Sequence, residues 1–287
     1  MTPALRTLLL TLAALIAFAA NSVLCRMALG EGLIDAVGFT QIRLLSGAAV
    51  LLPFFLQRRD AVWPPRPTDW RPALALFVYA FGFSLAYIAL DAGTGALILF
   101  ATVQVSMIGL GIAGGDRPGP AEWAGLAVAV GGLVWLLAPG LHAPPLWAAA
   151  LMGLAGAAWG VYSLMGRGER DPVAGTARNF LFTVPLALAL FLAGPSWGEA
   201  QWAGIALAVT SGALTSGLGY VIWYAALPGL TPMSASVVQL SVPAVAAAGG
   251  IVFLGELLTL RLLIATVLIL GGIYVTVRAA RRRAAQA

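Results

Sequence analysis

Polar and aromatic side chains recur at helical spacing along this chain. Phe18, Asn21, Ser22 and Cys25 fall at i, i+3, i+4 and i+7, one face of a helix. Tyr79, Phe83 and Tyr87 share a second face, Trp159, Tyr162, Ser163 and Gly166 a third, and Ser216, Tyr220, Trp223 and Tyr224 a fourth. Gln104 stands midway along an apolar run, and Ser236, Gln239 and Pro243 line one side of another. Such residues bind solutes rather than break bonds. Aromatic rings add edge-to-face contacts worth about 0.5–1.5 kcal/mol beyond burial, and amides and hydroxyls orient the polar end of a ligand. Packing explains any one of these faces, with the tyrosine hydroxyls bonded to backbone; four together imply a shared cavity for an amphipathic neutral or zwitterionic solute. Covalent chemistry has little to work with. The one histidine, His142, falls in a P-G-L-H-A-P-P loop and the one cysteine is Cys25, so no catalytic triad, metal site or cofactor is expected.

The elements that must hold these faces are membrane spans. Of 287 residues 61% are hydrophobic and only 9% charged, and mean hydropathy is +0.94; soluble domains carry about a quarter charged residues. Apolar runs near the roughly 20 residues a span needs read at 5–28, 36–57, 72–91, 94–113, 121–139, 146–165, 175–194, 202–225, 232–254 and 260–277. The fold class expected is therefore all-α integral membrane, with ten transmembrane helices and no room for a soluble domain. The net charge of +5 does not signal nucleic-acid binding, because all 16 basic residues are arginines distributed by topology. Arg6, Arg58, Arg59, Arg66, Arg71, Arg117, Arg167, Arg170, Arg278 and the run Arg281 to Arg283 gather on one side, leaving Arg26 and Arg261 on the other. By the positive-inside rule both termini are cytoplasmic. The signal-like N-terminus is then an uncleaved first helix. Trp63, Trp70, Trp123, Trp135, Trp147, Trp197 and Trp202 read as an interfacial belt.

The chain also repeats itself. G-F-S-L-A-Y-I-A-L at 82–90 matches G-Y-V-I-W-Y-A-A-L at 219–227, and D-A-V-G-F-T-Q-I-R at 35–43 matches D-P-V-A-G-T-A-R at 171–178. F-A-A-N-S from Phe18 pairs with W-G-V-Y-S from Trp159, Asp116 with Glu256, and the glycine pair Gly131–Gly132 with Gly271–Gly272. Halves of five helices, 1–140 and 145–287, must cross the membrane in opposite senses. Inverted repeats of this kind build transporters with a site between the halves. In the order and doubled spacing of these motifs the chain resembles the drug/metabolite transporter superfamily, in its ten-helix EamA-type branch. The resemblance rests on W-G followed by a basic residue (Trp159-Gly160 with Arg167), the basic starts Arg43 and Arg178, the acidic closures Asp116 and Glu256, and the glycine pairs. Phe18-Ala19 departs from W-G in the first half. Members of that branch mostly export metabolites and amino acids, and the aromatic content makes this chain similar to the aromatic amino acid exporters.

The expectation is a cell inner-membrane exporter, not an enzyme, that moves small hydrophobic or aromatic metabolites by alternating access. Tyr79, Phe83, Gln104, Trp159, Tyr220 and Gln239 are expected to contact substrate. Phe18, Asn21 and Tyr87 would form an outer gate, and Tyr162 and Tyr224, with Trp159, an inner one. The acidic residues all fall in loops or at helix ends, so no mid-membrane carboxylate is expected to couple transport to protons. Arg43 and Arg178 read as lying one near each surface, snorkelling or tying the halves, with a carboxylate attractor at each mouth as the alternative. A sugar-phosphate or nucleotide-sugar exchanger would want basic residues deep in the cavity. A lipid-modifying enzyme would want clustered Asp, His or Cys near one surface. Small-molecule substrate and membrane lipid are thus the partners expected, with no nucleic acid. A C-terminal green fluorescent fusion is expected to fluoresce, and alkaline phosphatase fused at the same place to stay inactive; an active phosphatase would reverse the topology.

Overall fold

Ten apolar helices account for the chain in a computed structural model that describes residues 2–58, 69–115, 117–140, 143–165, 171–194, 199–230 and 238–284. They are α1 (Pro3–Gly30), α2 (Ala36–Arg58), α3 (Trp70–Ala86), α4 (Ala92–Ala113) and α5 (Pro120–Leu137). The second set is α6 (Leu146–Met165), α7 (Pro172–Ala189), α8 (Trp202–Gly229), α9 (Val242–Leu254) and α10 (Leu260–Ala284). Eight are long and apolar enough to cross a bilayer, while α3 and α9 are shorter apolar helices. Arg59, Trp63, Arg66, Asp116, His142, Gly166, Arg167, Arg170, Trp197 and Ser236 lie outside the described residues. Of the tryptophan belt, Trp70, Trp123, Trp135, Trp147 and Trp202 are exposed on the helix bundle.

The packing partners repeat when α1–α5 are exchanged for α6–α10. Helix α1 packs on α8 and α9 as α6 packs on α3 and α4; α2 packs on α8 as α7 packs on α3. The equivalent helices α2 and α7, α4 and α9, and α5 and α10 pack on each other. Each half therefore completes the other, and the centre of the molecule belongs to both.

Three departures from the sequence expectation have local causes. Helix α3 stops at Ala86 rather than 91, because residues 87–90 turn. The Arg26 guanidinium donates to the carbonyls of Tyr87 (3.3 Å) and Ile88 (3.0 Å) there, a cation where helix ends favour one. Helix α8 contains a π-helical stretch, Ser211–Leu218, a distortion common at functional sites. A Cβ at Gly212 within it would meet the Arg43 carbonyl and the Ser46 hydroxyl, so α2 and α8 touch backbone to backbone. Helix α10 runs past 277 to Ala284, and Arg283 pairs there with Glu122 at 3.2 Å.

The glycine pairs divide into one packing residue and one free residue each. A Cβ on Gly272 would stand 2.5 Å from the Gly125 carbonyl oxygen, and one on Gly132 2.7 Å from Leu268 Cβ. Gly131 and Gly271 would meet nothing within 4 Å. Gly272→Ala is expected to destabilise the α5–α10 contact by about 1–3 kcal/mol and to lower the melting temperature in detergent. Gly271→Ala is expected to leave that temperature unchanged.

Candidate functional site

Where the halves meet, α1 contributes Phe18, Asn21 and Ser22, α3 Tyr79 and Phe83, α4 Leu99 and Phe100, α6 Trp159, and α8 Tyr220. The rings touch one another: Tyr79 and Trp159 are 4.8 Å apart between centroids, Trp159 and Tyr220 5.0 Å, and Phe18 and Tyr220 5.8 Å edge-on. About 20 Å³ remains between them, room for roughly one water. As the rings stand, the space between them is too small for an amino acid.

Of the residues expected at the site, Tyr79, Phe83, Trp159 and Tyr220 are brought together, and Phe18 and Asn21 stand in the same wall. Gln104 is buried in α4 and Gln239 half-buried near the start of α9, and neither lines this cavity. Tyr87 is fully buried beyond Phe83, edge-on at 4.7 Å, with its hydroxyl donating to the Ala92 carbonyl at 3.2 Å. Tyr162 continues the cluster from Trp159 at 5.3 Å, and Tyr224 packs half-buried against the core. The cost of burying Asn21 is offset by α8. Its Oδ1 accepts the Ser211 hydroxyl at 2.6 Å, and the Thr215 hydroxyl stands 3.1 Å away. Both hydroxyls come from the π-helical stretch, which makes that distortion part of the site.

Arg43 is the residue that sequence reasoning misplaced. It is 1% exposed and sits seven residues beyond the start of α2, about 10 Å down the helix. Nε donates to the Ser216 hydroxyl at 3.2 Å and Nη2 to the Tyr79 hydroxyl at 3.1 Å. Its Cζ lies 4.9 Å from the Phe83 ring centroid and 5.2 Å from that of Tyr79. Arg178, its counterpart in the repeat, instead pairs with Asp69 at 3.4 Å and joins α7 to the start of α3. The two motifs differ in length: eight residues separate Asp35 from Arg43, but seven separate Asp171 from Arg178. One extra residue turns a helical side chain by about 100°, and that offset was the available signal.

Ion pairs between the halves close both ends. At the end where α2 finishes and α3 and α7 begin, Arg58 meets Asp171 at 3.0 Å and Asp69 meets Arg178 at 3.4 Å. At the opposite end Arg26 lies 3.7 Å from both Asp91 and Glu256, and the Glu256 carboxylate accepts the Ala92 N–H at 2.8 Å. Above this contact is an open pocket of about 330 Å³ that includes Asp91, Glu256 and Arg261. Among the described residues no cluster of His, Cys, Asp and Glu could hold a metal ion.

A bundle of ten apolar helices in two exchanged halves, closed at both ends around an aromatic cavity, is the architecture of a multi-pass membrane transporter of small molecules. Residues 146–278 match the EamA-like transporter family. The chain is 53% identical over 271 residues to an uncharacterised protein of Pseudomonas aeruginosa, covering 94% of each. It is 27% identical over 247 residues to the threonine/homoserine exporter RhtA of Salmonella typhimurium, covering 79% of this chain and 77% of that one. The Escherichia coli protein of that name is as similar, over 248 residues. A crystal structure 23% identical in sequence has the same fold, with a TM-score of 0.64 over 94% of this chain and 97% of that one. The chain belongs to the EamA-like transporter family.

The Arg26–Glu256 contact carries a pH dependence. Burial pushes the Glu256 carboxyl above the usual carboxylate range, opposed by the Ala92 N–H and reinforced by the charge of Asp91, while Arg26 pulls it back. A Glu256 exposed to water would lack that rise. The contact is therefore favoured below the raised range and weakens as pH rises through it. With Cys25 replaced by Ala, an impermeant thiol reagent applied outside to Ser22→Cys is expected to react progressively faster as pH rises. Adding Glu256→Gln should flatten the part of that rise not due to the thiol itself; identical profiles would remove Glu256 from the closure.

Proposed function

We propose that this protein is an inner-membrane exporter of small amphipathic metabolites, aromatic amino acids first among them. The halves 1–140 and 145–287 rock about the central cavity, with both termini cytoplasmic. The observation that carries this reading is the meeting of Phe18, Tyr79, Phe83, Trp159 and Tyr220 with Asn21 and Ser22 in one cavity drawn from both halves. Rings supply the apolar wall and the amide and hydroxyl supply orientation, so a solute with one aromatic end and one polar end satisfies both. In this reading Phe18, Asn21 and Tyr87 gate the outside, Tyr162 and Tyr224 the inside, and Gln104 and Gln239 meet the substrate only in an open form.

Export as the direction is supported by similarity to threonine/homoserine exporters. That similarity also favours a second reading, in which the substrate is an aliphatic hydroxy amino acid. The Ser211 and Thr215 hydroxyls beside Asn21 would suit its hydroxyl. The carboxylates with described positions sit at the ends of the helices, as Asp69, Asp91, Glu122, Asp171 and Glu256 do. Transport is accordingly facilitated diffusion or exchange rather than proton coupling through a mid-membrane acid.

The test is counterflow in liposomes of purified protein with no ion gradient. Labelled phenylalanine and tryptophan are expected to enter preloaded vesicles at least ten times faster than lysine or aspartate. Trp159→Ala and Tyr220→Ala each remove ring contacts and burial worth about 1–3 kcal/mol and should lower the rate roughly 10- to 100-fold. Size-exclusion profiles should stay unchanged. Threonine faster than phenylalanine would favour the second reading, and unaltered rates in both variants would remove the cavity from transport.

A further inference from the structure

Taking the central cavity as the substrate site, we propose that Arg43 is its anion-binding subsite. It receives the carboxylate of the substrate, which makes the transported class monoanionic or zwitterionic carboxylates and excludes the corresponding amines and amides.

A guanidinium keeps its charge in a protein and carries five N–H groups. At Arg43 the partners in hand are two neutral oxygens, Ser216 Oγ and the Tyr79 hydroxyl, and Nη1 has no hydrogen-bond partner. None of the ion pairs among the described residues includes Arg43, whereas its repeat counterpart Arg178 has Asp69. The faces of Phe83 and Tyr79 supply the remaining attraction. Contacts of that kind offset only part of what removing an ion from water costs. A buried cation with an idle Nη1 in a membrane protein is poised for an anion that arrives from elsewhere.

The cavity is where that anion comes from. Tyr79 and Phe83, the rings that cover the guanidinium, are also part of the cavity wall. The Tyr79 hydroxyl holds Nη2 in the place that one carboxylate oxygen would take, and Nη1 is left for the other. Movement of the Tyr79 ring as substrate enters exchanges a neutral acceptor for a bidentate, charge-assisted pair. A single cation matches a single negative charge, so a carboxylate fits where a phosphate dianion would leave charge unpaired. The aromatic cavity and the guanidinium then divide the substrate between them, side chain against the rings and carboxylate on Arg43.

The experiment uses the full chain in liposomes and competes labelled phenylalanine, or threonine if that is the solute transported, with unlabelled analogues. The carboxamide of the same amino acid is expected to compete at least 10-fold more weakly than the amino acid itself. For phenylalanine, 3-phenylpropionate, which keeps the carboxylate and lacks the ammonium, should compete within a few-fold. Arg43→Gln should reduce the discrimination between acid and amide to about two-fold, and Arg43→Lys should restore part of it. A cation that only tied α2 to α3 and α8 would change protein yield, not this ratio. A wild-type protein that takes the carboxamide as readily as the acid overturns the anchor while leaving the exporter reading intact, and this comparison needs no variant to fold. Phenyl phosphate competing better than either overturns the monoanion assignment. Absence of counterflow for every amino acid overturns the cavity reading and the anchor with it.

Discussion

A permanently charged guanidinium held out of water sets the terms for the middle of this protein. Arg43 cannot shed its proton, and its helix carries it too deep to reach the surface. Everything near it answers that constraint. Tyr79 and Phe83 turn ring faces toward it, Ser216 and Tyr79 give it oxygens, and the glycine at 212 lets α8 come close enough for Ser216 to do so. The π-helical stretch of α8 supplies these groups and also the hydroxyls that satisfy Asn21. One distorted turn thus serves both the cation and the amide, and the cavity wall forms between them.

Ion pairs lie at the two ends of the molecule and rings fill its middle. Arg58–Asp171 and Asp69–Arg178 at one end and Arg26–Glu256 at the other each join one half to the other. Arg58–Asp171 is the most exposed of these pairs and contributes the least, while Asp69–Arg178 and Arg26–Glu256 are mostly shielded from water. The aromatic cluster between them has no such exchange partner until a solute arrives. The two sets of ion pairs share no residue.

Small residues decide which helices pack most closely. Gly125, Gly132 and Gly272 bring the backbones of α5 and α10 into contact, and the Thr276 hydroxyl bridges to the Glu122 carbonyl at 3.2 Å. Those two helices pack chiefly on each other and touch the remainder mostly through α4. Without an apolar driving force in lipid, close backbone approach is what keeps such a pair associated.

The number of helices, most of their limits and the exchange of the two halves follow from sequence, because lipid forces every backbone polar group into a helix of a set length. The faces carrying Phe18, Tyr79, Phe83, Trp159 and Tyr220 were legible for the same reason, since helical period alone puts them on one side. What sequence did not decide is which of the polar residues share a space. Gln104 has the right depth but not the cavity wall, and of each glycine pair only one member packs, because rotation about a helix axis is fixed by its neighbours. The end of α3 at Ala86 depended on Arg26, more than sixty positions away in sequence. The role open to Arg43 depended on its having no carboxylate beside it. An ion's partner is a fact of tertiary contact, and a single residue of offset in the second helix of each half separates a buried arginine paired with Asp69 from one that faces the aromatic centre with no carboxylate.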